Sequence, residues 1–213
     1  MDKTAVILAG GQGRRMGGVN KALLLLNKET FIERQLRIAR EWTDEIIVVS
    51  NDDDLLFRLS AVKELKLIGD SDEYVGEGPL AGLHAGLFAA TRPYVWIVGC
   101  DQPMLDGKAA DFLMERMTRG SFQASVPNIN GRTQPLHGIY RKEAASIAGA
   151  LLASGHRKLL DLLERLSCIE VEQAEFAEHG IAVAFSDDVD TPEQYDRVKS
   201  LFPDDEGVQR SKS

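Results

Sequence analysis

The sequence predicts an α/β fold with a mostly parallel sheet, and two patterns support this prediction. First, five short apolar runs lack the polar alternation of a half-exposed strand, which is typical of strands covered on both faces. These runs span residues 4–8, 45–49, 66–68, 94–98 and 182–185. Second, segments with helical periodicity lie between the runs, and strands that alternate with helices indicate a parallel sheet with helices packed on it.

Each predicted helix has an apolar stripe whose members recur every three or four residues. The four stripes are Ile32/Leu36/Ala39, Leu80/Leu83/Leu87, Ala110/Leu113/Met117 and Leu159/Leu163/Leu166. Gly78-Pro79 is expected to begin the second helix, and Asp106 to cap the third. Residues 191–194 (TPEQ) have the order of an N-cap, an N1 proline and a capping-box glutamine. No repeat or linker divides the chain, so we expect one domain over residues 1–202 and a polar tail over 203–213.

Composition excludes several classes of protein. The formal net charge of −8 argues against a general nucleic-acid-binding surface, although it permits a local basic site. No run of about 18 apolar residues is present, so we expect no membrane-spanning helix. The first residues lead directly into a predicted strand, without the pattern of a signal peptide. We therefore expect a cytoplasmic protein in which Cys100 and Cys168 are reduced thiols.

The loop after the first predicted strand indicates a polyphosphate site. Residues 5–21 read AVILAGGQGRRMGGVNK, with five glycines among the cations Arg14, Arg15 and Lys21. Glycines let backbone amides approach an anion closely, and the cations add charge-assisted hydrogen bonds to phosphate oxygens. A P-loop fits poorly because Lys21 is followed by alanine, and the spacing of the glycines also departs from the dinucleotide pattern G-x-G-x-x-G.

Two carboxylates follow predicted strands at the same edge of the sheet. Asp70 ends LKLIGD, and Asp101 follows YVWIVGC. Two carboxylates would repel a triphosphate unless a cation lay between them, and Mg²⁺ prefers one or two carboxylates together with phosphate oxygens and water. A turn or capping role remains the alternative for both aspartates. Asn51, just after the strand at 45–49, is a candidate for hydrogen bonds to a base or for an ordinary turn.

The opening loop resembles a known signature. LAGG-Q-G-R-RMGG-VNK is similar to the L-A-[GA]-G-x-S-x-R-M-G-x-x-K motif of sugar-phosphate-type nucleotidyltransferases. The double glycine Gly10-Gly11, with RMGG, resembles the molybdenum cofactor guanylyltransferases in particular, because related cytidylyltransferases usually have alanine at the first of these positions. Gly13 and Asn20 depart from the signature, where serine and aspartate are common.

The resemblance implies a Rossmann-like three-layer sandwich of the nucleotide-diphospho-sugar transferase type. It also implies transfer of GMP from GTP to molybdopterin with Mg²⁺ as cofactor. By position in the motifs, the catalytic residues would be Arg15, Lys21 and Asp101, with Asp101 as the metal ligand. The nucleotide-binding residues would be Leu8, Ala9, Gly10, Gly11, Lys21, Asn51, Asp70, Gly78 and Asp101.

Three segments are candidates for the acceptor side of the site. RTQPLHGIY (132–140), SGHRKLL (154–160) and VDTPEQY (189–195) resemble segments that border the pterin in this family, but a solvated helix start and simple capping explain the last two equally well. Two other functions remain open: a CTP-dependent molybdopterin or sugar-phosphate enzyme, and a non-catalytic nucleotide-binding or cofactor-carrier protein. Transient contact with molybdoenzymes or their chaperones is a further expectation.

Overall fold

A computed structural model describes residues 2–10 and 20–202. Its strands are β1 Lys3–Leu8, β2 Leu25–Leu26, β3 Glu29–Thr30, β4 Glu45–Val49, β5 Leu65–Ile68, β6 Tyr94–Gly99, β7 Ala124–Ile129, β8 Arg132–Thr133, β9 Gly138–Arg141 and β10 Cys168–Glu172. Its α-helices are α1 Phe31–Trp42, α2 Asp53–Leu59, α3 Pro79–Ala89, α4 Gly107–Arg119, α5 Ala144–Ala153, α6 Leu159–Leu163, α7 Gln173–Glu178 and α8 Pro192–Ser200. In this part of the chain, no helix is both long enough and apolar enough to cross a membrane.

The main sheet has the strand order β10-β7-β9-β6-β1-β4-β5, with β8 paired to β7. Strands β4, β1 and β6 are parallel neighbours, as are β4 with β5 and β7 with β10, whereas β9 runs antiparallel to both β6 and β7. The predicted mostly parallel sheet is confirmed. After β1, the chain forms β4 and β5 on one side of β1, and it then crosses to the other side of β1 to form β6. The loops after β1 and β6 therefore lie at a topological switch point, where open α/β sheets bind ligands.

Two apolar cores cover the faces of this sheet. Side chains alternate across β1, so Ala5 and Ile7 lie in one core while Val6 and Leu8 lie in the other. Helices α1 and α4 pack in the first core, and α3, α5 and α6 in the second. The result is the expected sandwich of helix, sheet and helix layers.

The predicted helix ends agree with the structure. Asp106 accepts hydrogen bonds from the backbone amides of Lys108 and Ala109, which fixes the start of α4. Thr191 and Gln194 form the reciprocal capping box of α8, with Pro192 at its first position. Pro79 likewise begins α3 after Gly78.

The prediction of a strand at 182–185 is wrong. Residues Val183–Ser186 form a single 3₁₀ turn, because Phe185 is buried by ring packing against His137 and Phe176 rather than by strand pairing. The prediction also missed β7, β9 and β10. Leu166 lies beyond the end of α6, although it still packs in the second core.

Candidate active site

An open cleft of about 590 Å³ lies at the carboxyl edge of the parallel strands. Six of the residues predicted to bind nucleotide line it, namely Leu8, Gly10, Asn51, Asp70, Gly78 and Asp101. Ala9 is buried just behind them, and its backbone is tied to β4 because its amide donates to the carbonyl of Val49. The sheet edge therefore brings together residues that are up to 93 positions apart in the chain, from Leu8 to Asp101.

At one end of the cleft, Asn51 and Asp70 form a rigid polar corner. The Asn51 side-chain amide donates to Asp70 Oδ2 at 2.7 Å, and Asn51 Oδ1 accepts from the Asp70 backbone amide at 2.9 Å. The amide of Gly76 also donates to Asp70 Oδ2, at 3.0 Å. Within the described residues, Asp70 Oδ1 receives no hydrogen bond and lies near Gly82, so it remains available to a ligand in the cleft.

The N-terminus of α3 borders the same end of the cleft. Gly78 has φ +92°, a left-handed conformation that a side chain would strain, and it turns the chain into Pro79 at the first position of the helix. A Cβ at Gly82 would lie 3.5 Å from Leu8 Cδ2 and 3.6 Å from Asp70 Oδ1, so glycine keeps this wall thin. The first amides of a helix attract anions, which makes this wall suitable for a polar or negatively charged ligand group.

At the other end, Lys21 joins two carboxylates. Its ammonium lies 3.4 Å from Asp101 Oδ2 and makes a short ion pair with Asp190, which precedes α8. Lys21 itself lies in a 3₁₀ turn, Lys21–Leu23, that follows the glycine-rich loop. The backbone amide of Val189 donates to the Asp101 carbonyl at 2.9 Å, which fastens the segment before α8 to the end of β6.

Charge and burial shift the pKa values of Lys21, Asp101 and Asp188 at this end of the cleft. Burial lowers the pKa of Lys21, but its hydrogen bond to Asp190 and the nearby charge of Asp101 outweigh burial, so its pKa is raised and it stays protonated. Burial raises the pKa of Asp101, against the opposing effect of Lys21. Burial and the charges of Asp101 and Asp190 raise the pKa of Asp188 to about 6. Such clusters of perturbed groups in a cleft are typical of functional sites.

Asn20 explains one departure from the family signature. Its amide nitrogen donates to Asp52 Oδ2 at 2.7 Å, while its Oδ1 accepts from the amide of Ala22 and caps the turn that presents Lys21. Asp52 in turn caps α2 through the amide of Leu55. An aspartate at position 20 would face the Asp52 carboxylate, so in this chain asparagine fits the local hydrogen bonds better.

The donor set of Asp101 and Asp190 suits a hard divalent cation. In the described residues, no three His, Cys, Asp or Glu side chains are close enough to form a complete metal centre by themselves. Two carboxylates held around a single ammonium instead fit an ion that takes its remaining ligands from phosphate and water. Cys100 also lines the cleft, but burial raises the pKa of its thiol to about 12, so it is no thiolate nucleophile at neutral pH.

The family model described as "MobA-like NTP transferase domain" matches residues 5–169. The chain belongs to this family. A protein of Natronomonas pharaonis named "Probable molybdenum cofactor guanylyltransferase" is 33% identical over 200 residues, covering 93% of this chain and 97% of the relative. A relative of the same name from Carboxydothermus hydrogenoformans is 31% identical over 199 residues, covering 93% of this chain and 96% of its own.

Solved structures share the fold of this MobA-like domain. Molybdopterin-guanine dinucleotide biosynthesis protein A from Archaeoglobus fulgidus has a TM-score of 0.80 at 24% identity, covering 93% of this chain and 97% of that chain. The 4-diphosphocytidyl-2C-methyl-D-erythritol synthase from Anaerococcus prevotii has a TM-score of 0.71 at 14% identity, covering 93% and 95%. The predicted fold type is thereby confirmed.

Two of the predicted site residues, Gly11 and Arg15, lie outside the described residues. The predicted acceptor segments of this MobA-like domain reach the cleft to different extents. Of the acceptor segments, 132–140 reaches the cleft through Leu136. The segment 154–160 abuts Gly78, since a Cβ there would lie 3.6 Å from the Arg157 carbonyl oxygen, and Arg157 forms an ion pair with Glu77 at 2.6 Å. His156 Nδ1 lies 2.8 Å from Asp161 Oδ2, so this side chain is paired within its own segment.

The sequence analysis did not place Asp188 or Asp190 beside Lys21. The pattern D-x-D directly before a capped helix is the available signal, but for 189–195 the sequence leaves open both a segment near the pterin and simple capping. Only the packing of Val189, which is fully buried beside Leu26 and Phe31, brings both aspartates to Lys21.

Proposed function

We propose that this chain transfers GMP from GTP to molybdopterin, giving the molybdopterin guanine dinucleotide and pyrophosphate. The names of the relatives that match most of its length support this assignment. The structural observation on which it depends most is the meeting of three chain regions at one cleft: the glycine-rich end of β1, the Asn51–Asp70 corner and the Lys21–Asp101–Asp190 cluster.

The geometry supports a division of the cleft into two halves. The base and ribose of GTP would occupy the end formed by Gly10, Asn51, Asp70 and Gly78, where thin glycine walls and polar groups suit a flat heterocycle. The triphosphate would extend toward Lys21 and Asp101 at the other end. Arg15, in the same loop that begins at Gly10, would add a second cation for the phosphates.

The reaction needs little proton transfer. A terminal phosphate oxygen of molybdopterin attacks the α-phosphorus of GTP, a new P–O bond forms, and the bond from the α-phosphorus to the bridging oxygen of the β-phosphate breaks. The nucleophile is already anionic, so no strong general base is required, and catalysis rests on positioning and charge neutralisation. Lys21 and Arg15 stabilise the charge that develops on the departing pyrophosphate.

Mg²⁺ is the proposed cofactor, held by Asp101 with Asp190 nearby. When bound, it supplies charge neutralisation for phosphate oxygens in the transition state. Lys21 has a second task in this arrangement: its ammonium contacts both carboxylates and offsets the electrostatic repulsion between them.

A direct assay tests this proposal. Purified protein with GTP, Mg²⁺ and molybdopterin is expected to release pyrophosphate and form the guanine dinucleotide, and Asp101→Asn is expected to reduce turnover by at least about a hundredfold. Asp44→Asn is the matched control, because Asp44 is exposed and precedes β4 at the opposite edge of the sheet. Undiminished turnover by Asp101→Asn would refute the role of that carboxylate.

The main alternative is a CTP-dependent enzyme of the same fold. Gly10 lines the cleft, and a Cβ at this position would meet no described atom within 4 Å. Glycine therefore leaves open a space that the methyl group of an alanine would occupy. This favours GTP, because a purine is larger than the pyrimidine of CTP. Competition between GTP and CTP in the pyrophosphate assay separates the two. A non-catalytic carrier would instead bind nucleotide without releasing pyrophosphate.

GTP and molybdopterin are the proposed small-molecule partners, and a GTP-consuming reaction is consistent with a cytoplasmic location. Brief contact with an acceptor molybdoenzyme or its chaperone would follow product formation. Neither nucleic acid nor membrane is part of the proposed reaction.

A further inference from the structure

The turn that holds Asp101 is fastened by two buried glutamines. Gln35 of α1 is fully buried, and its amide nitrogen donates both to the carbonyl of Gly99 and to the carbonyl of Gln102, each at 2.8 Å. Gln102 is also buried, and its side-chain oxygen accepts from the amide of Gly99 at 3.2 Å. Asp101 lies between the two residues whose backbones these amides hold.

Burying a glutamine next to a sheet costs free energy, because its polar atoms lose their hydrogen bonds to water. Gln35 Oε1 is buried and has no hydrogen-bond partner among the described residues, so this residue retains an unsatisfied acceptor in order to present its two N–H groups. A leucine or methionine of similar volume would pack without that cost, but it would leave the carbonyl of Gln102 without its donor. The geometry therefore favours a function for this amide beyond packing.

The backbone held by Gln35 lies beside the Asp101 carboxylate. A Cβ on Gly99 would lie only 2.5 Å from Asp101 Oδ1, which means that the carboxylate folds back over the Gly99 backbone. The carboxylate therefore occupies space that only glycine leaves free, next to the carbonyl that Gln35 holds. The neighbouring Arg34 adds a hydrogen bond from Nε to the Pro103 carbonyl at 3.1 Å, so α1 holds this turn at two successive side chains.

The same turn is also connected to the segment before α8, because the Asp101 carbonyl accepts a hydrogen bond from the Val189 amide at 2.9 Å. The position of Asp101 relative to Asp190 is consequently set through one buried hydrogen-bonded unit. Helix α1 contributes to it, although it supplies no side chain to the cleft lining in the described residues.

We propose that Gln35 and Gln102 are positioning residues that fix the Asp101 carboxylate relative to Asp190, and thereby set the affinity of the site for a divalent cation. This inference rests on the proposed function for the role of Asp101. Groups that orient a metal ligand in this way commonly change metal affinity by tenfold to a hundredfold when they are removed.

The test measures binding of Mn²⁺ alone to the full-length protein by electron paramagnetic resonance, without GTP or molybdopterin. Gln35→Met removes both donors at nearly constant volume and is expected to weaken Mn²⁺ binding about tenfold or more. Gln102→Met tests the same unit from the other side, which keeps the inference falsifiable if Gln35→Met does not fold. In turnover, both variants are expected to raise the Mg²⁺ concentration needed for half-maximal rate more than they lower the rate at saturating Mg²⁺.

Thr43→Val is the matched control. Thr43 is buried at the C-cap of the same helix, and its hydroxyl donates to the Lys3 carbonyl at 2.6 Å, at the opposite end of β1 from the cleft. Like the glutamine variants, Thr43→Val loses a hydrogen bond, so it is expected to lower stability but to leave Mn²⁺ affinity unchanged. Three results would overturn the inference. They are unaltered Mn²⁺ affinity in a folded Gln35 or Gln102 variant, an equal loss of Mn²⁺ affinity in Thr43→Val, and a wild-type protein that binds no Mn²⁺. Absence of pyrophosphate release with normal Mn²⁺ binding would instead refute only the proposed function.

Discussion

The buried histidine His137 is predicted to make the fold sensitive to acid. Its ring is fully buried between Trp96 and Phe185, with centroid distances of 5.0 and 4.3 Å, and its Nε2 accepts a hydrogen bond from the Asp106 amide at 3.3 Å. Burial lowers the pKa of His137 from 6.5 to about 3. The imidazole is therefore neutral in the folded protein at pH values where it is protonated in the unfolded chain.

The sign and size of the effect follow from this difference. Between about pH 6.5 and 3 the unfolded state binds one more proton than the folded state, so stability is lost as the pH falls. The linkage relation gives a loss of about 2 kcal/mol at pH 5, approaching about 5 kcal/mol below pH 3. Since domains of this kind have a total stability of about 5–15 kcal/mol, the contribution at pH 5 is readily measurable.

Urea denaturation of the wild type and of His137→Asn at pH 7, 6 and 5 tests this prediction. Asparagine tolerates the left-handed conformation of this position, where φ is +63°. The variant is expected to be less stable at pH 7 because it loses ring packing, but its stability should decline with acid by about 2 kcal/mol less than that of the wild type.

Two features isolate His137 in this experiment. Asp188, whose pKa is raised to about 6, titrates in the same pH range. Its effect on stability has the opposite sign, because the protonated form that favours the folded state is lost as the pH rises. The wild type and His137→Asn both retain Asp188, so its effect cancels in the comparison. His179→Gln removes an exposed histidine and is the matched control for the loss of an imidazole outside the core. Parallel pH curves for the wild type and His137→Asn would refute the reasoning.

Three further substitutions have expected outcomes. A Cβ at Gly10 would meet no atom of the described residues within 4 Å, so Gly10→Ala should fold, but it should lower kcat/KM for GTP relative to CTP by about tenfold in the pyrophosphate assay. Asn20→Asp should destabilise the protein by about 1–2 kcal/mol in urea denaturation, because the new carboxylate faces Asp52 and replaces a donor with an acceptor. Gly86→Ala should cost about 1–3 kcal/mol in thermal or urea unfolding, since its Cβ would lie 2.5 Å from Val6 Cγ1 in the second core.

Each of these substitutions has a control and a contrary outcome. An unchanged GTP/CTP ratio in Gly10→Ala would show that this position does not select the base. Asn20→Ala loses the same hydrogen bonds without adding a charge, so equal stability of Asn20→Ala and Asn20→Asp would contradict the repulsion with Asp52. The double variant Gly86→Ala/Val6→Ala opens space for the new methyl and should recover part of the loss; no recovery would contradict the steric explanation.

Much of the fold followed from local sequence patterns. The apolar runs at β1, β4, β5 and β6 have the composition that a doubly covered strand requires, and capping residues such as Asp106 and Thr191 determine helix starts through bonds to neighbouring amides. The strands β7, β9 and β10 were missed because they contain polar or helix-compatible residues, and their strand state depends on partners distant in the chain. The run at 182–185 was misread because periodicity alone does not distinguish a buried turn from a strand.

By itself, the sequence predicted which groups would meet a nucleotide: the glycine-rich loop with Lys21, and the carboxylates that end buried strands. These roles depend on short-range chemistry, because a strand that ends in a polar residue presents it at the sheet edge wherever the rest of the chain runs. Only the tertiary structure decided that Lys21 pairs with Asp190, 169 positions away, and that Gln35 reaches across from α1 to hold the turn around Asp101. Such contacts depend on how helices and loops pack against the sheet, and no local pattern encodes the distance between two side chains that the folded core alone brings together.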